Sequence, residues 1–267
     1  MIFWLFAFGV VVDGFVPEDF RCDRIPPSLW CANGDMATLC GWKEMCDEFK
    51  SAMGGQRLKI TLLYESKCID CQEFITEVLY PKLYTQLKDD IEITLVPFGN
   101  AHIKNGTIIC QHGADECRIN KFESCVIQLI TGVNAPLPYI NCLEKLLMQR
   151  FSFEDASAKC FRSLGITKEL QTKIWDCANG KMGDSLQYEA AKITNNVYPD
   201  SHMFVPWIVV NGASLKHMQY HLGTLPYIIC EWFSPEHLPQ YCLRPENNRT
   251  KNCLRKNNVP SIFDLYY

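Results

Sequence analysis

The chain has no Lys/Arg-rich stripe, and its 26 basic against 30 acidic side chains leave a net charge of −4. It offers no electrostatic footprint for a phosphate backbone, so a nucleic-acid partner is excluded. Past the N-terminal segment, no run is long and apolar enough to cross a bilayer, which argues against stable membrane insertion. No internal repeat or low-complexity tract is present, which sets aside repeat architectures. Cysteine, by contrast, is abundant: fifteen in 267 residues, in a chain that is 48% hydrophobic and 21% charged. That composition supplies one sizeable core plus attachments. Cytosolic chains rarely hold so many cysteines without metal-ligand spacing, so an oxidising compartment is expected.

The N-terminus points the same way. Ile2 to Val12 is an uninterrupted apolar stretch of eleven residues. That is the length of a signal-peptide core and too short for a membrane span. Residues 1–14 are therefore read as a signal peptide, cleaved near Gly14. In a secretory protein the triplets Asn105-Gly106-Thr107 and Asn248-Arg249-Thr250 become glycosylation sequons.

The chemistry is concentrated at Cys68-Ile69-Asp70-Cys71. Leu58 to Tyr64 (LKITLLY) before it reads as a buried strand. Phe74, Ile75, Val78, Leu79, Leu83 and Leu87 after it recur at helical spacing. The C-x-x-C thus sits at a strand-to-helix junction with Cys68 near the helix N-terminus. Helix amides and the macrodipole there favour a thiolate over a thiol, as a dithiol redox centre requires. Half a zinc site and a structural disulfide are the alternatives. Asp70, if ionised, opposes the thiolate, and Lys67 is placed to offset it.

A second motif lies far along the chain. Val205-Pro206-Trp207-Ile208-Val209-Val210 is an apolar strand entered through a proline and closed by an Asn211-Gly212 turn. Proline at a strand's first residue removes no ladder bond that is needed. The pairing of such a strand with a C-x-x-C resembles thioredoxin-like folds, where a cis-proline faces the reactive cysteine. That resemblance implies a cis Val205–Pro206 bond beside Cys68, with both residues docking substrate backbone. An ordinary trans proline before a strand is the alternative.

Residues 15–54 form a cysteine-rich segment in which Cys22, Cys31, Cys40 and Cys46 fall close together, and a segment this short needs disulfides to hold a fold. Its pattern of Cys22, Trp30-Cys31, Ala37 and Cys40 resembles the saposin A-type motif. Gly54-Gly55 reads as a linker. From there an α/β domain is expected over 56–233: strand, C-x-x-C, helix and a second strand at Ile91 to Phe98, which implies a parallel crossover. Pro81 lies within the helical pattern and predicts a kink. A helical block is inserted over about 100–200, with helices predicted at Cys117–Ile130, Ile140–Phe151, Phe153–Leu164, Thr167–Cys177 and Met182–Val197. The Pro206 strand and a last helix near Leu225–Phe233 follow, and then an irregular tail, 234–267, with Cys242 and Cys253. The fold class is thus α/β, thioredoxin-like, with a helical insertion and a small N-terminal cysteine-rich segment.

One further stretch is highly specific. Residues 110–125 read C-Q-H-G-x-x-E-C-x-x-N-x-x-x-x-C, with Cys110, Gln111, His112, Gly113, Glu116, Cys117, Asn120 and Cys125 at the fixed positions. Read alone, Cys110, His112, Cys117 and Cys125 could ligate zinc, although an oxidising compartment favours disulfides. Together with Tyr64-Glu65-Ser66, Leu79-Tyr80-Pro81, Val96-Pro97-Phe98-Gly99-Asn100-Ala101 and Val205-Pro206-Trp207, the stretch resembles the gamma-interferon-inducible lysosomal thiol reductase (GILT) family over roughly Leu58 to Phe233. The N-terminal segment and the cysteine-bearing tail depart from the minimal family pattern.

The resemblance implies a thiol reductase of the lysosome, endocytic pathway or extracellular space that acts on protein disulfides at acid pH. In that reading Cys68 attacks and Cys71 resolves. No metal or organic cofactor is called for, and a small thiol such as cysteine re-reduces the pair. His112 and Glu116 hold the inserted loop by hydrogen bonds. A disulfide oxidase or isomerase remains open, as does a secreted binding or immune-defence protein that uses the fold as a scaffold. Thirteen cysteines remain outside the redox pair, so at least one thiol is free or bridges chains.

Overall fold

The computed structural model describes residues 22, 31, 34–47, 57–233 and 238–244. The signal segment, the Gly54-Gly55 linker, Asn248 and Cys253 lie outside them. The chain divides into two compact units, Met1–Ala52 and Met53–Tyr267. In the first, helix α1 (Gly34–Leu39) and a helical turn at 43–47 are held by disulfides Cys22–Cys40 and Cys31–Cys46, with Ala37 and Cys46 buried.

The second unit is built on a five-stranded sheet of order β2-β1-β6-β7-β5. Its centre is β1 (Leu58–Tyr64), which has a strand partner on each side and buries five of its seven side chains. On one flank β2 (Ile91–Pro97) runs parallel, with Ile60 opposite Ile93. On the other, β6 (Trp207–Val210) runs antiparallel, with Leu63 opposite Trp207. The short strands β7 (Ala213–Ser214) and β5 (Tyr198–Pro199) finish that edge. A parallel pair joined by a helix, followed by an antiparallel pair on the other side of β1, is a thioredoxin-like sheet. Side-chain amides complete it where backbone partners run out. Asn134 accepts from Ile93 N–H and donates to Ile91 O along the open edge of β2. Gln219 does the same for Ile208, whose outward groups find no partner on the two-residue β7.

The β1-to-β2 crossover is one helical run, α2, composed of Ile69–Glu73, a wide π-helical stretch Phe74–Tyr84, and Thr85–Leu87. The helix continues through Pro81 by widening into a π-helix. A proline ring that would press on the carbonyl four residues back has more room in the wider turn.

Between β2 and β5 the chain makes a hairpin that the sequence reading passed over: β3 (His102–Lys104) and β4 (Thr107–Ile109) turn at Asn105-Gly106, both with positive φ. The Asn-Gly pair is itself a hairpin signal. Asn105, the first sequon asparagine, is exposed at this turn. Five helices follow: α3 (Ala114–Leu129), α4 (Leu137–Met148), α5 (Phe153–Ser163), α6 (Lys168–Asn179) and α7 (Lys181–Asn195). All five lie where the apolar spacing put them, with ends displaced by a few residues. Ser152 and Thr167 cap α5 and α6 by accepting from Asp155 and Leu170 N–H. Their shared core is aromatic. Phe122 lies 4.6 Å from Trp175, 5.0 Å from Phe153 and 6.1 Å from Phe161 between ring centroids.

Disulfides Cys125–Cys177 and Cys142–Cys160 staple α3 to α6 and α4 to α5. The last helix differs from expectation. Lys216–Thr224 and Ile229–Trp232 are 3-10 helix, and only α8 (Leu225–Ile228) is α-helical. Cys242 of the tail is bonded to Cys230. Among the described residues no helix is long and apolar enough to cross a membrane.

Candidate active site

Cys68 is the N-cap of α2, so its backbone is extended while Gln72 N–H already donates to its carbonyl at 3.0 Å. The Cys68 sulfur accepts from Cys71 N–H at 3.4 Å, one turn into the helix. Both sulfurs are reduced and buried. The two thiols are driven apart. The Cys71 thiol, by hydrogen bonding to Cys68, holds the Cys68 pKa below its ordinary value, and the Cys71 amide adds to this. Burial together with the charges of Glu65 and Asp70 opposes the shift. Cys71 is pushed far up, first by burial and then by its bond to Cys68. One sulfur is therefore disposed to be a thiolate and its neighbour to remain a thiol. Lys67 reaches Asp115, at 4.0 Å, rather than offsetting Asp70 as expected.

The Val205–Pro206 bond is cis, and the Cys68 thiol donates to the Val205 carbonyl at 3.8 Å. The β1–β6 pairing brings these segments together. A second cis bond, Tyr198–Pro199, was not anticipated.

The signature residues close around the loop that leads into Cys68. Asn120 Oδ1 accepts from Ser66 N–H at 3.0 Å, and Gln72 Nε2 donates to Ser66 O at 2.8 Å. Glu65 is fully buried, and its Oε1 accepts from Asn100 N–H at 2.5 Å. Burial raises the Glu65 pKa to about 7 against the lowering pull of that amide. His112 Nδ1 lies 2.5 Å from Glu116 Oε2 and 3.4 Å from Glu65 Oε2. Gln111 Oε1 accepts from Asn100 Nδ2 at 2.6 Å, and Gly113 has a φ of 88°, which opens α3. Cys110 is bonded to Cys117 and Cys125 to Cys177, so these sulfurs are not the thiolate ligands of a zinc site. Sequence reasoning missed Asn134 and Gln219, which complete the sheet, and Glu123 and Glu144, two buried carboxylates of which Glu144 acts electrostatically on Cys71 and Cys68. Glu144 was signalled only as a charged letter in the apolar α4, and Glu123, in the polar-rich α3, by nothing.

The family described as Gamma interferon inducible lysosomal thiol reductase (GILT) matches residues 59–164. The gamma-interferon-inducible lysosomal thiol reductase of Carassius auratus is 34% identical over 238 residues, 86% of this chain and 88% of its own. That of Mus musculus is 31% identical over 240 residues, 85% and 89% of the two chains. Among solved structures, the oxidoreductase DsbA from Xylella fastidiosa is similar with a TM-score of 0.42 and 14% identity, over 66% of this chain and 86% of that one. With relatives this similar over most of its length, the chain belongs to the gamma-interferon-inducible lysosomal thiol reductase family and is a thiol–disulfide oxidoreductase.

Proposed function

We propose that this chain reduces disulfide bonds in protein substrates through Cys68 and Cys71, in an acidic endo-lysosomal or secreted setting. The observation that carries this reading is a pair of unlike thiols beside a cis proline, with the Val205 carbonyl 3.8 Å from the Cys68 sulfur. The Cys68 thiolate attacks one sulfur of a substrate disulfide. The substrate S–S bond breaks, and the leaving sulfur takes up a proton as a thiol. The Cys71 thiol then gives up its proton and attacks the Cys68 sulfur. The mixed disulfide breaks, the second substrate thiol leaves, and a Cys68–Cys71 disulfide remains. Two electrons have passed to the substrate. Two molecules of a small thiol such as cysteine return them and become the disulfide. Val205 and Pro206 hold substrate backbone so that its disulfide lies in line with Cys68. No organic or metal cofactor enters these steps.

The depressed Cys68 pKa supports attack at acid pH, where an ordinary thiol of pKa ~8.5 would be almost wholly protonated. The test is reduction of insulin disulfides at acid and at neutral pH with cysteine as reductant. Turnover at acid pH that depends on Cys68 is expected. An oxidase or isomerase would instead restore activity to reduced or scrambled ribonuclease, and a scaffold protein would do neither.

A further inference from the structure

We propose that Glu65, His112 and Glu116 form a binding site for a divalent transition-metal ion of the zinc and cobalt class, beside the loop that carries Cys68. One donor atom from each residue lies within 4.8 Å of the other two. His112 Nδ1 is 2.5 Å from Glu116 Oε2 and 3.4 Å from Glu65 Oε2. Two donors on one ion at ~2.1 Å each sit ~3.4 Å apart in a tetrahedral site. Small side-chain shifts therefore bring all three to one ion.

Each carboxylate is anchored through one oxygen and presents the other. Glu65 Oε1 accepts from Asn100 N–H and Glu116 Oε1 from His112 N–H, which leaves both Oε2 atoms turned toward the imidazole. Fixing ligands through their second atom is how proteins orient metal donors. Glu65 Oε2 is buried and has no hydrogen-bond partner among the described residues. The site is also short of positive charge. Both carboxylates are fully buried, and His112 is the one cation-forming side chain paired with them among the described residues. The nearby Lys67 and Arg118 both reach Asp115 instead.

Gly99 makes the space. A β-carbon there would fall 2.3 Å from Glu65 Cγ. The His112 side chain is 38% exposed, which gives an ion a way in and leaves coordination positions for water. A mixed nitrogen–oxygen set with open positions suits zinc, cobalt or manganese, and the neighbouring Cys110 and Cys117 are unavailable as thiolates.

The test uses the full chain with Cys68→Ser, Cys71→Ser and Cys253→Ser, so that no free thiol competes. Zinc is titrated by calorimetry at neutral pH, and cobalt by its visible absorption. One ion per chain is expected, bound at least ~10-fold more weakly by His112→Asn, Glu65→Gln or Glu116→Gln. The exposed Glu169→Gln should leave binding unchanged. Circular dichroism reports whether each variant folds. His112 is partly exposed and lies in a turn, so its variant decides alone if either glutamine variant fails to fold. Absence of stoichiometric binding, or binding that His112→Asn leaves intact, overturns the proposal and leaves a hydrogen-bonded cluster that shares a proton.

Discussion

Asn120 Oδ1 accepts the Ser66 backbone N–H at 3.0 Å across 54 positions of sequence. Gln72 takes the Ser66 carbonyl, so both backbone groups of a residue two places before Cys68 are held by side-chain amides. One of these amides comes from the start of the redox helix, the other from the cysteine signature. Glu65, just before, is tied to Asn100 and faces His112. The signature therefore grips the redox loop from outside, which accounts for its mixture of cysteines with His, Glu and Asn.

Asn120→Ala leaves the buried Ser66 N–H without an acceptor. A group in that state costs ~1–3 kcal/mol. Urea unfolding should show a loss of that size, and kcat/KM for disulfide reduction should fall with it. A variant as stable and active as the parent would show that the contact does not hold the loop.

Gly99→Ala and Gly106→Ala make a matched pair. Both glycines have positive φ, 58° and 74°. An added β-carbon at Gly106 meets nothing within 4 Å, whereas at Gly99 it strikes Glu65 Cγ at 2.3 Å. Gly106→Ala should lose only the left-handed backbone term, ~1–2 kcal/mol. Gly99→Ala adds overpacking on a buried carboxylate, a further ~1–3 kcal/mol. Thermal melts of the two should separate clearly, and equal losses would contradict the close packing.

The sheet was legible because β1, β2 and β6 are apolar runs bounded by turn residues, and the dithiol because C-x-x-C sits at a strand-to-helix junction. The cis Val205–Pro206 bond followed from pairing two motifs that neither motif alone required. Short pieces were not legible. The β3–β4 hairpin has three-residue strands that are largely exposed, so hydrophobic alternation was silent and only Asn105-Gly106 spoke for it. The π-helix across Pro81 depends on packing that local spacing does not encode. Disulfide partners such as Cys125 and Cys177, 52 positions apart, are set by which helices meet. Glu123 and Glu144 stayed hidden because a charged letter in a helix ordinarily marks its wet face.

Variants of Cys68 and Cys71 should fail in different ways. In the proposed mechanism Cys68→Ser removes the nucleophile, so turnover and mixed-disulfide formation should both vanish. Cys71→Ser keeps the nucleophile but lacks the resolving sulfur, so substrate should stay bonded to Cys68. Non-reducing gels with a disulfide substrate report both, and more trapping by Cys68→Ser than by Cys71→Ser would reverse the roles.

The cysteine-rich first unit should be dispensable for reduction. A chain beginning at Gln56 keeps the strands, the C-x-x-C and four of the six disulfides found among the described residues. It is expected to fold and to reduce insulin. Failure to fold would show that the first unit contributes to the core of the second.

Stability should be greatest at acid pH. Glu123 and Glu144 are fully buried, and their carboxyl groups interact with each other, with Tyr64 and with Gln72. The groups facing them are Tyr64 of β1, Tyr139 of α4, and Cys68, Cys71 and Gln72 of α2. Burial raises both carboxyl pKa values, and Glu144 is raised further by Glu123. The folded chain thus keeps protons that the unfolded chain releases above the ordinary 4.5. Stability is full below that value and declines as pH climbs through 4.5 to about 7 for Glu123, with Glu144 acting in the same direction. One pKa unit is worth ~1.4 kcal/mol, and ~1 kcal/mol moves Tm by ~2–4 °C in a domain of this size. Melting at pH 7.5 should therefore come ~5 °C or more below melting at pH 5. Glu123→Gln replaces the ionisable group by a neutral one of the same shape, so it should flatten the profile and raise Tm at pH 7.5. A parent chain that melts as high at pH 7.5 as at pH 5 would mean that these carboxyls are not held neutral by the fold.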